Sequence, residues 1–218
     1  MSSLSEKIEE ILEMLWIAKK ERNKSNLNFN VLGVEKGADE IKELLDKKLI
    51  NVEDENVNLT EEGTIKGENV VRRHRLAEKL LVDVIDVSGS AIHETACKLE
   101  HYLKEGIEDK VCTLLGHPKT CPHGNPIPPG PCCRTETKVG DKYVVPLSQL
   151  KFGQKGKIVY IQGIADKNLQ SLASLGILPG ATITVKQTFP SYLFAIGNSE
   201  FAVDKTVAEA VYVRIEKD

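Results

Sequence analysis

The sequence has no apolar run long enough to cross a membrane, where about 20 consecutive apolar residues are needed. The longest apolar run near its start, from Ile11 to Ala18, is interrupted by Glu13. We also expect no secretory leader, because acidic residues occupy the first helical stretch, where a positive region and an apolar core would be required. We therefore expect a protein of the cytoplasm that contacts no membrane.

The sequence also lacks an excess of basic residues and the even cysteine set of a disulfide framework. Its net charge is −3, so any contact with nucleic acid has to come from a local patch. Its five cysteines are irregularly spaced, which favours thiols or metal ligands over disulfides. With 218 residues, of which 41% are hydrophobic, the chain can bury more than one small core.

Apolar residues at helical spacing predict three helices in the first 50 residues. The first ends near Lys20, and two shorter helices joined by a tight turn follow it. Residues 49–52 and 57–60 flank a polar loop and predict a β-hairpin. Helices followed by a hairpin are typical of a winged helix-turn-helix.

The rest of the chain changes from helical to strand-like patterning. Helices are predicted from Thr60 to about Val87, from Ala91, and from Ile107 to Leu115. From about Tyr143, short apolar runs with one helical insert, 167–175, predict a small SH3-like β-barrel. The expected class is α+β, with a winged helix at residues 1–70, a helical metal-binding and dimerisation domain with a Pro/Cys-rich linker at 71–140, and the barrel at 141–218.

The helical regions carry several side chains that bind transition metals. On the helix from Ala91, four such residues lie on one face, at i, i+4, i+7 and i+8. Single pairs of this kind are also typical of the polar surface of an amphipathic helix, whereas four on one face favour a metal site. Imidazole, carboxylate and thiolate together suit Fe, Co, Ni or Zn better than Mg or Ca. The candidates are His93, Cys97, Glu100 and His101, then His74 and Glu78 one helix earlier, and Glu10 and Glu13 on the first helix.

Three motifs resemble the diphtheria toxin repressor and manganese repressor family of metal-dependent regulators. They are RHRLAEKLL at 73–81, HETACKLEH at 93–101 and PHGNPIP at 122–128, in the family's order. The resemblance covers about residues 5 to 130. The segments VPLS at 145–148, GILPG at 176–180 and VYVRI at 211–215 are similar to FeoA domains, which are small SH3-like modules.

The family resemblance implies two neighbouring metal sites. One is formed by His74, Glu78 and His93, and the other by the first helix with Cys97, Glu100 and His101. Glu10 occupies the position where iron-type members have a methionine, and Glu13 that of a carboxylate in manganese-type members. Because the thiolate is soft and the carboxylates are hard, Fe(II) is the expected metal, with Mn(II), Co(II), Ni(II) and Zn(II) as alternatives.

The resemblance also implies a homodimer that binds a double-stranded DNA operator and represses metal-uptake genes when metal is bound. The expected recognition helix, Glu35 to Lys48, departs from the family because it carries five carboxylates that would repel phosphates. Basic and polar residues before it either contact DNA or form a solvated loop, and two lysines of the helix itself are further candidates for DNA contacts. They are Lys19, Lys20, Arg22, Lys24, Ser25, Asn26, Asn28, Lys36 and Lys42.

Two further questions stay open at the level of sequence. The Pro/Cys-rich linker either holds a second zinc or iron-sulfur site or is an ordinary loop of the family. The chain also fits a metal sensor that acts through a protein partner, or less well a non-haem iron enzyme, although no substrate pocket is evident. The candidate ligands of the second site are Cys112, Cys121, Cys132 and Cys133, with His117 and His123 nearby.

Overall fold

The computed structural model describes residues 6–89, 91–104, 106–134, 144–162 and 166–215. Its contacts divide the chain into two units, each built from several segments of the sequence. The first unit contains residues 1–78, 90–108 and 119–131, and the second contains 79–89, 109–118 and 132–218. The three-part division expected from the sequence stays a prediction.

The N-terminal elements form a winged helix-turn-helix, as predicted. Its three strands pair antiparallel in the order β1-β3-β2, and β2 and β3 make the predicted hairpin. The two-residue strand β1 was not predicted, because so short a run has no periodicity. The elements are α1 (Glu6–Glu21), β1 (Leu27–Asn28), α2 (Phe29–Leu32), α3 (Asp39–Asp46), β2 (Ile50–Glu53) and β3 (Asn56–Leu59).

Local caps define the two short helices of this domain. The Asn28 side chain accepts a hydrogen bond from the Asn30 amide and starts α2, and Gly33 ends it in the left-handed conformation at φ +67°. The backbone of Ala38 is extended at ψ 149°, so α3 begins later than the predicted start at Glu35. Apolar residues of all three helices and of the hairpin share one buried core.

A long helix, α4 (Glu61–Asp83), follows the wing. The Thr60 hydroxyl accepts a hydrogen bond from the Gly63 amide at 2.9 Å, which confirms the predicted cap. At Gly67, an added Cβ would lie 2.9 Å from both the Leu12 carbonyl oxygen and the Trp16 Cβ. Helices α1 and α4 therefore approach closely because this residue has no side chain.

Three shorter helices follow α4. Two precede the predicted Pro/Cys-rich linker, α5 (Ala91–Glu100) and α6 (Ile107–Leu114), and the third, α7 (Pro131–Arg134), lies within it. Between α6 and α7, the segment 119–127 is closed by backbone hydrogen bonds from Cys121 to Asn125 and from Ile127 to Lys119, at 2.9 and 2.8 Å. This part of the predicted linker is therefore ordered. Residues 135–143 of the linker lie outside the described residues.

The second unit contains a six-stranded antiparallel sheet in the order β4-β9-β5-β6-β7-β8. The predicted barrel is corrected in one respect, because β4 and β8 are edge strands and the described strands do not close into a barrel. Bulges in β5 and β6 bend the sheet over a core centred on Phe194. The elements are β4 (Val144–Pro146), a 3₁₀ turn (Leu147–Gln149), β5 (Lys155–Ile161), α8 (Asp166–Ser174), β6 (Thr182–Gln187), β7 (Tyr192–Ile196), β8 (Ser199–Val203), α9 (Lys205–Ala210) and β9 (Val211–Ile215).

Throughout the described part of the chain, no helix has the length and apolar character that a membrane span requires.

Candidate metal centre

A buried histidine on α4 joins the carboxylates of two helices. The His74 side chain places Nδ1 2.7 Å from Glu100 Oε2 and Nε2 3.2 Å from Glu78 Oε1. All three residues are at most 4% exposed. Because an ionised carboxylate only accepts hydrogen bonds, both ring nitrogens must donate, and the imidazole is therefore protonated.

The pKa of His74 agrees with this assignment. Burial would lower it, but hydrogen bonds with Cys97, Glu100 and Glu78 and the charge of Glu13 raise it to about 12. In return, His74 opposes the effect of burial on Glu78 and lowers the pKa of that carboxyl group to about 2. The metal-free centre is thus a buried ion cluster with an imidazolium between two carboxylates.

Helix α5 adds a thiol and a second imidazole to this cluster. The Cys97 Sγ lies 3.9 Å from His74 Nδ1 and 3.8 Å from His93 Nε2. The His93 ring is largely exposed and packs edge-on against His74 with the ring centroids 5.1 Å apart. The one-turn spacing of His93 and Cys97 puts both on the side of α5 that faces α4, as the sequence predicted.

Helix α1 contributes two carboxylates, but only one of them was predicted. Glu13 groups with His74 and Glu100, and burial raises its pKa to about 7. Glu10 is exposed and joins none of the candidate metal groups among the described residues. Its neighbour Glu9 is buried instead, and its Oε2 lies 2.6 Å from His101 Nδ1.

Glu9 is the site residue that sequence reasoning missed. Its carboxylate also lies 3.0 Å from Arg73 and 3.0 Å from Lys104, and these cations with His101 lower its pKa although burial would raise it. The available indication was its helical position: Glu9 precedes the apolar residues Leu12 and Trp16 by three and seven residues, on the buried face of α1.

The loop before α7 supplies further ligands at Glu78. His123 Nδ1 lies 3.1 Å from Glu78 Oε1, and Cys121 belongs to the same group. Burial and the neighbouring Glu78 raise the pKa of the Cys121 thiol. The predicted set of four cysteines is therefore corrected: Cys121 lies in the first unit, whereas Cys112, Cys132 and Cys133 lie together in the second.

Three buried arginines of α4 hold the surrounding segments in place. Arg73 Nε donates to the Glu100 carbonyl at 3.0 Å, and Arg72 Nη1 donates to the Pro128 carbonyl at 2.9 Å. Arg75 pairs with Glu21 of α1 at 2.7 Å and also donates to the carbonyl of Pro126. The sequence showed the arginines only as part of a family motif, because their partners lie far away along the chain.

The arrangement fits a divalent transition metal. Imidazole, carboxylate and thiol atoms from α1, α4 and α5 lie within 4.8 Å of one another in overlapping groups. Glu100 Oε1 is buried and accepts no hydrogen bond within the described part of the chain, so it keeps lone pairs for a cation. A cleft of about 390 Å³, lined by His74, Glu78, His93 and His123 among others, connects the cluster to solvent.

Some of the residues predicted to contact DNA already make contacts within the protein, whereas others are exposed. Lys19 donates to the Thr64 hydroxyl at 3.0 Å, Asn28 caps α2, and Lys36 donates to a wing carbonyl at 2.6 Å. Lys42 pairs with a carboxylate of its own helix at 2.9 Å. Exposed residues remain in the segment after α1: Lys20, Arg22, Lys24, Ser25 and Asn26.

Two family models match the chain. The first describes an iron dependent repressor, metal binding and dimerisation domain, and it covers residues 60–129. The second describes a FeoA domain and covers residues 145–215. His74, Glu78 and the ligands of α5 all lie inside the first match.

Two relatives and one solved structure are similar to the chain. The iron-dependent repressor IdeR of Mycobacterium bovis is 36% identical over 147 residues, which are 62% of this chain and 62% of that protein. The IdeR of Mycobacterium leprae is 31% identical over 171 residues, which are 72% of each chain. The match thus spans less than two thirds of the length of the first relative. The crystal structure of T. acidophilum IdeR is 25% identical, with 99% of this chain and 100% of that chain covered and a TM-score of 0.46.

We predict that Glu9 and Glu10 differ sharply in their contribution to the stability of the metal-free protein. Replacing Glu9 by Gln removes the carboxylate that faces the buried Arg73 and the half-buried Lys104 and that lies beside His101, so the free energy of unfolding should fall on the order of 3 kcal/mol. Glu10→Gln is the matched control, because Glu10 is exposed on the same helix. Urea unfolding measures both, and equal stabilities would contradict the assignment of Glu9.

We also predict that Mn(II) binding releases protons and becomes tighter as the pH rises. A nitrogen that binds metal must be unprotonated, whereas His74 holds its proton up to about pH 12 in the metal-free state. Calorimetric titration at about pH 7, in buffers of different ionisation enthalpy, counts the released protons. Glu94→Gln, at an exposed position of α5, should release the same number. Binding heats that are equal in all buffers would contradict the assignment of a protonated imidazole to His74.

Proposed function

Because this chain belongs to the iron-dependent repressor family, we propose that it represses transcription as a homodimer that binds a double-stranded DNA operator when Fe(II) is bound. Helix α1 supports this proposal, because it belongs both to the winged-helix core and to the surroundings of the metal centre. Ile8, Leu12 and Leu15 belong to the core of the winged helix, whereas Glu13 groups with His74 and Glu100 of the metal centre and Glu9 pairs with His101 beside it. One helix therefore connects the metal centre to the domain that would contact DNA.

The chain's own residues explain how metal would act on this helix. Glu13 groups with Glu100, and burial together with the charge of Glu100 raises the pKa of Glu13 to about 7, so its negative charge is disfavoured there. A divalent cation held by His74, Glu100, Cys97 and the α1 carboxylates would supply the missing positive charge. Glu13 then stays ionised and α1 is held against α4 and α5, so the geometry that binds metal is favoured.

The donor set supports Fe(II) as the metal. The Cys97 thiol favours softer ions, and the carboxylates of Glu13 and Glu100 favour harder ones, so a borderline ion satisfies both. Mn(II), Co(II), Ni(II) and Zn(II) are the alternatives that the same ligands would bind.

The surface of the winged helix supports phosphate contacts better than base contacts. The acidic residues of α3 are paired, Asp39 with Lys42 at 2.9 Å and Glu40 with Lys7 at 3.2 Å. These pairs reduce the repulsion of phosphates, but they also occupy a lysine that was expected to contact DNA. We therefore assign the phosphate contacts to the exposed cations after α1, namely Lys20, Arg22 and Lys24.

The dimer contact is assigned to the end of α5 and the start of α6. Tyr102 is 73% exposed and Ile107 is 50% exposed, and both lie in the segment that matches the metal-binding and dimerisation model. Large apolar groups that stay exposed in such a segment favour a protein interface. As a regulator of transcription, the protein would act in the cytoplasm, where the DNA is.

A sensor that acts through a protein partner is the second candidate. The pairing of Lys42 within α3 and of Lys36 with Glu55 of the wing favours it, because these pairs leave fewer charged groups to read bases. An enzyme is not proposed, because the relatives of this chain are repressors.

We predict that Fe(II) strengthens DNA binding and that replacing both Cys97 and His101 by Ala abolishes this effect. Metal-dependent couplings of this kind change affinity about 5- to 150-fold. Anaerobic gel-shift titrations with and without Fe(II), using the DNA upstream of the protein's own gene, measure it. Cys97→Ser is the second variant, since it removes the thiolate and leaves the pair between His101 and Glu9 intact.

The matched control is Glu94→Ala, because Glu94 is exposed on α5 and pairs only with Lys98 among the described contacts. It should behave as the wild type. If the double variant still bound DNA only with added Fe(II), the ligand assignment would be wrong. If the wild type bound Fe(II) but never DNA, the partner-dependent function would replace repression.

A further inference from the structure

A second group of metal-binding side chains lies in the second unit, apart from the centre of His74. Cys112 of α6, His117 after that helix, and Cys132 and Cys133 of α7 place their ligand atoms within 4.8 Å of one another. Cys112 is buried and the other three are half-buried. Cys132 and Cys133 lie between the segments that the two family models match, so neither match accounts for them.

The chain adopts a specific turn to bring His117 back to Cys112. Helix α6 ends with Gly116 and His117 both in the left-handed conformation, at φ +72° and +56°. The His117 amide donates to the Cys112 carbonyl at 2.9 Å, which closes the end of the helix. A left-handed histidine is uncommon and is retained where surrounding contacts require it. Its ring lies with Nδ1 3.6 Å from the Cys112 Sγ.

Four distances between the ligand atoms match those around a single tetrahedral ion. Zn–S bonds of about 2.3 Å and Zn–N bonds of about 2.05 Å at the tetrahedral angle put two sulfurs about 3.8 Å apart and sulfur and nitrogen about 3.6 Å apart. The Cys133 Sγ lies 3.6 Å from that of Cys112, 3.7 Å from that of Cys132 and 3.5 Å from His117 Nδ1. Cys112 and His117 are 3.6 Å apart.

We propose that Cys112, His117, Cys132 and Cys133 bind one Zn²⁺ ion through three thiolates and the Nδ1 atom of the histidine. Three soft thiolates with one imidazole form a ligand set typical of structural zinc. A cubane iron-sulfur cluster would spread its four ligands over different irons and hold them further apart than ligands of one ion. Four protein ligands also leave no open position, so the site is structural rather than catalytic.

Adjacent cysteines lack the usual paired spacing of zinc ligands, but on α7 the Sγ atoms of Cys132 and Cys133 lie 3.7 Å apart. This helix has only four residues and starts at Pro131, and so short a helix has little stability of its own. On binding, the three thiol protons leave to solvent, and the ion joins α7 to the end of α6.

The test is elemental analysis and Co(II) substitution of the full chain, purified anaerobically. We expect one equivalent of zinc that survives dialysis against EDTA. Co(II) in its place should give intense tetrahedral d–d bands and a strong thiolate-to-cobalt charge-transfer band. The strong charge-transfer band distinguishes cobalt bound by three thiolates at the proposed site from cobalt at the centre of His74, where only one thiol is among the described candidate ligands. The zinc should also remain in the Cys97→Ser variant, which reports independently on the other centre.

Matched cysteine variants locate the ion. Cys133→Ser should lose the EDTA-resistant zinc and the charge-transfer band, whereas Cys121→Ser, whose thiol lies in the other unit, should keep both. His117→Cys should keep the metal with a stronger charge-transfer band, and this gain remains measurable if Cys133→Ser fails to fold. The proposal is overturned by wild type without tightly held zinc, by iron with acid-labile sulfide, or by zinc that depends on Cys121.

Discussion

The ion contacts of one buried imidazole organise the first unit of this protein. His74 lies between Glu78, one turn along its own helix, and Glu100 at the end of α5, and both its nitrogens are used. Charges this deeply buried are unfavourable unless each has a partner, so the imidazolium and the carboxylates must be kept together. Helices α4 and α5 and the loop that carries His123 are therefore arranged around a protonated imidazole, which would release its proton on binding metal as proposed.

The approach of α1 to this cluster depends on a position without a side chain. Gly67 allows α1 to cross α4 closely, and the carboxylates of Glu9 and Glu13 then reach Arg73 and His74 farther along α4. The same helix fills the winged-helix core with its apolar face. In the proposed function, a change of charge at the centre would act directly on the helix whose apolar face belongs to the winged-helix core.

Helical spacing predicted much of the site, and long-range contacts explain what it did not. The one-turn separations on α4 and α5 required His74 beside Glu78 and His93 beside Cys97. Whether Glu9 or Glu10 faces the centre depends on a rotation of about 100° between neighbours on α1, which only its packing decides. In the same way, spacing could not show which thiols converge, because a loop such as that of Cys121 has no periodicity. Closure of the C-terminal sheet likewise depends on pairing between distant strands.

The most direct test of the account is the anomalous difference density of a crystal of the full chain soaked anaerobically in Fe(II), collected at the iron absorption edge. The account predicts a peak bounded by His74, Glu100 and Cys97, with a carboxylate of α1 as a ligand and the contact between His74 and Glu100 lengthened. An iron peak without any ligand from α1 would contradict it, because metal could then not act on the winged helix through that helix.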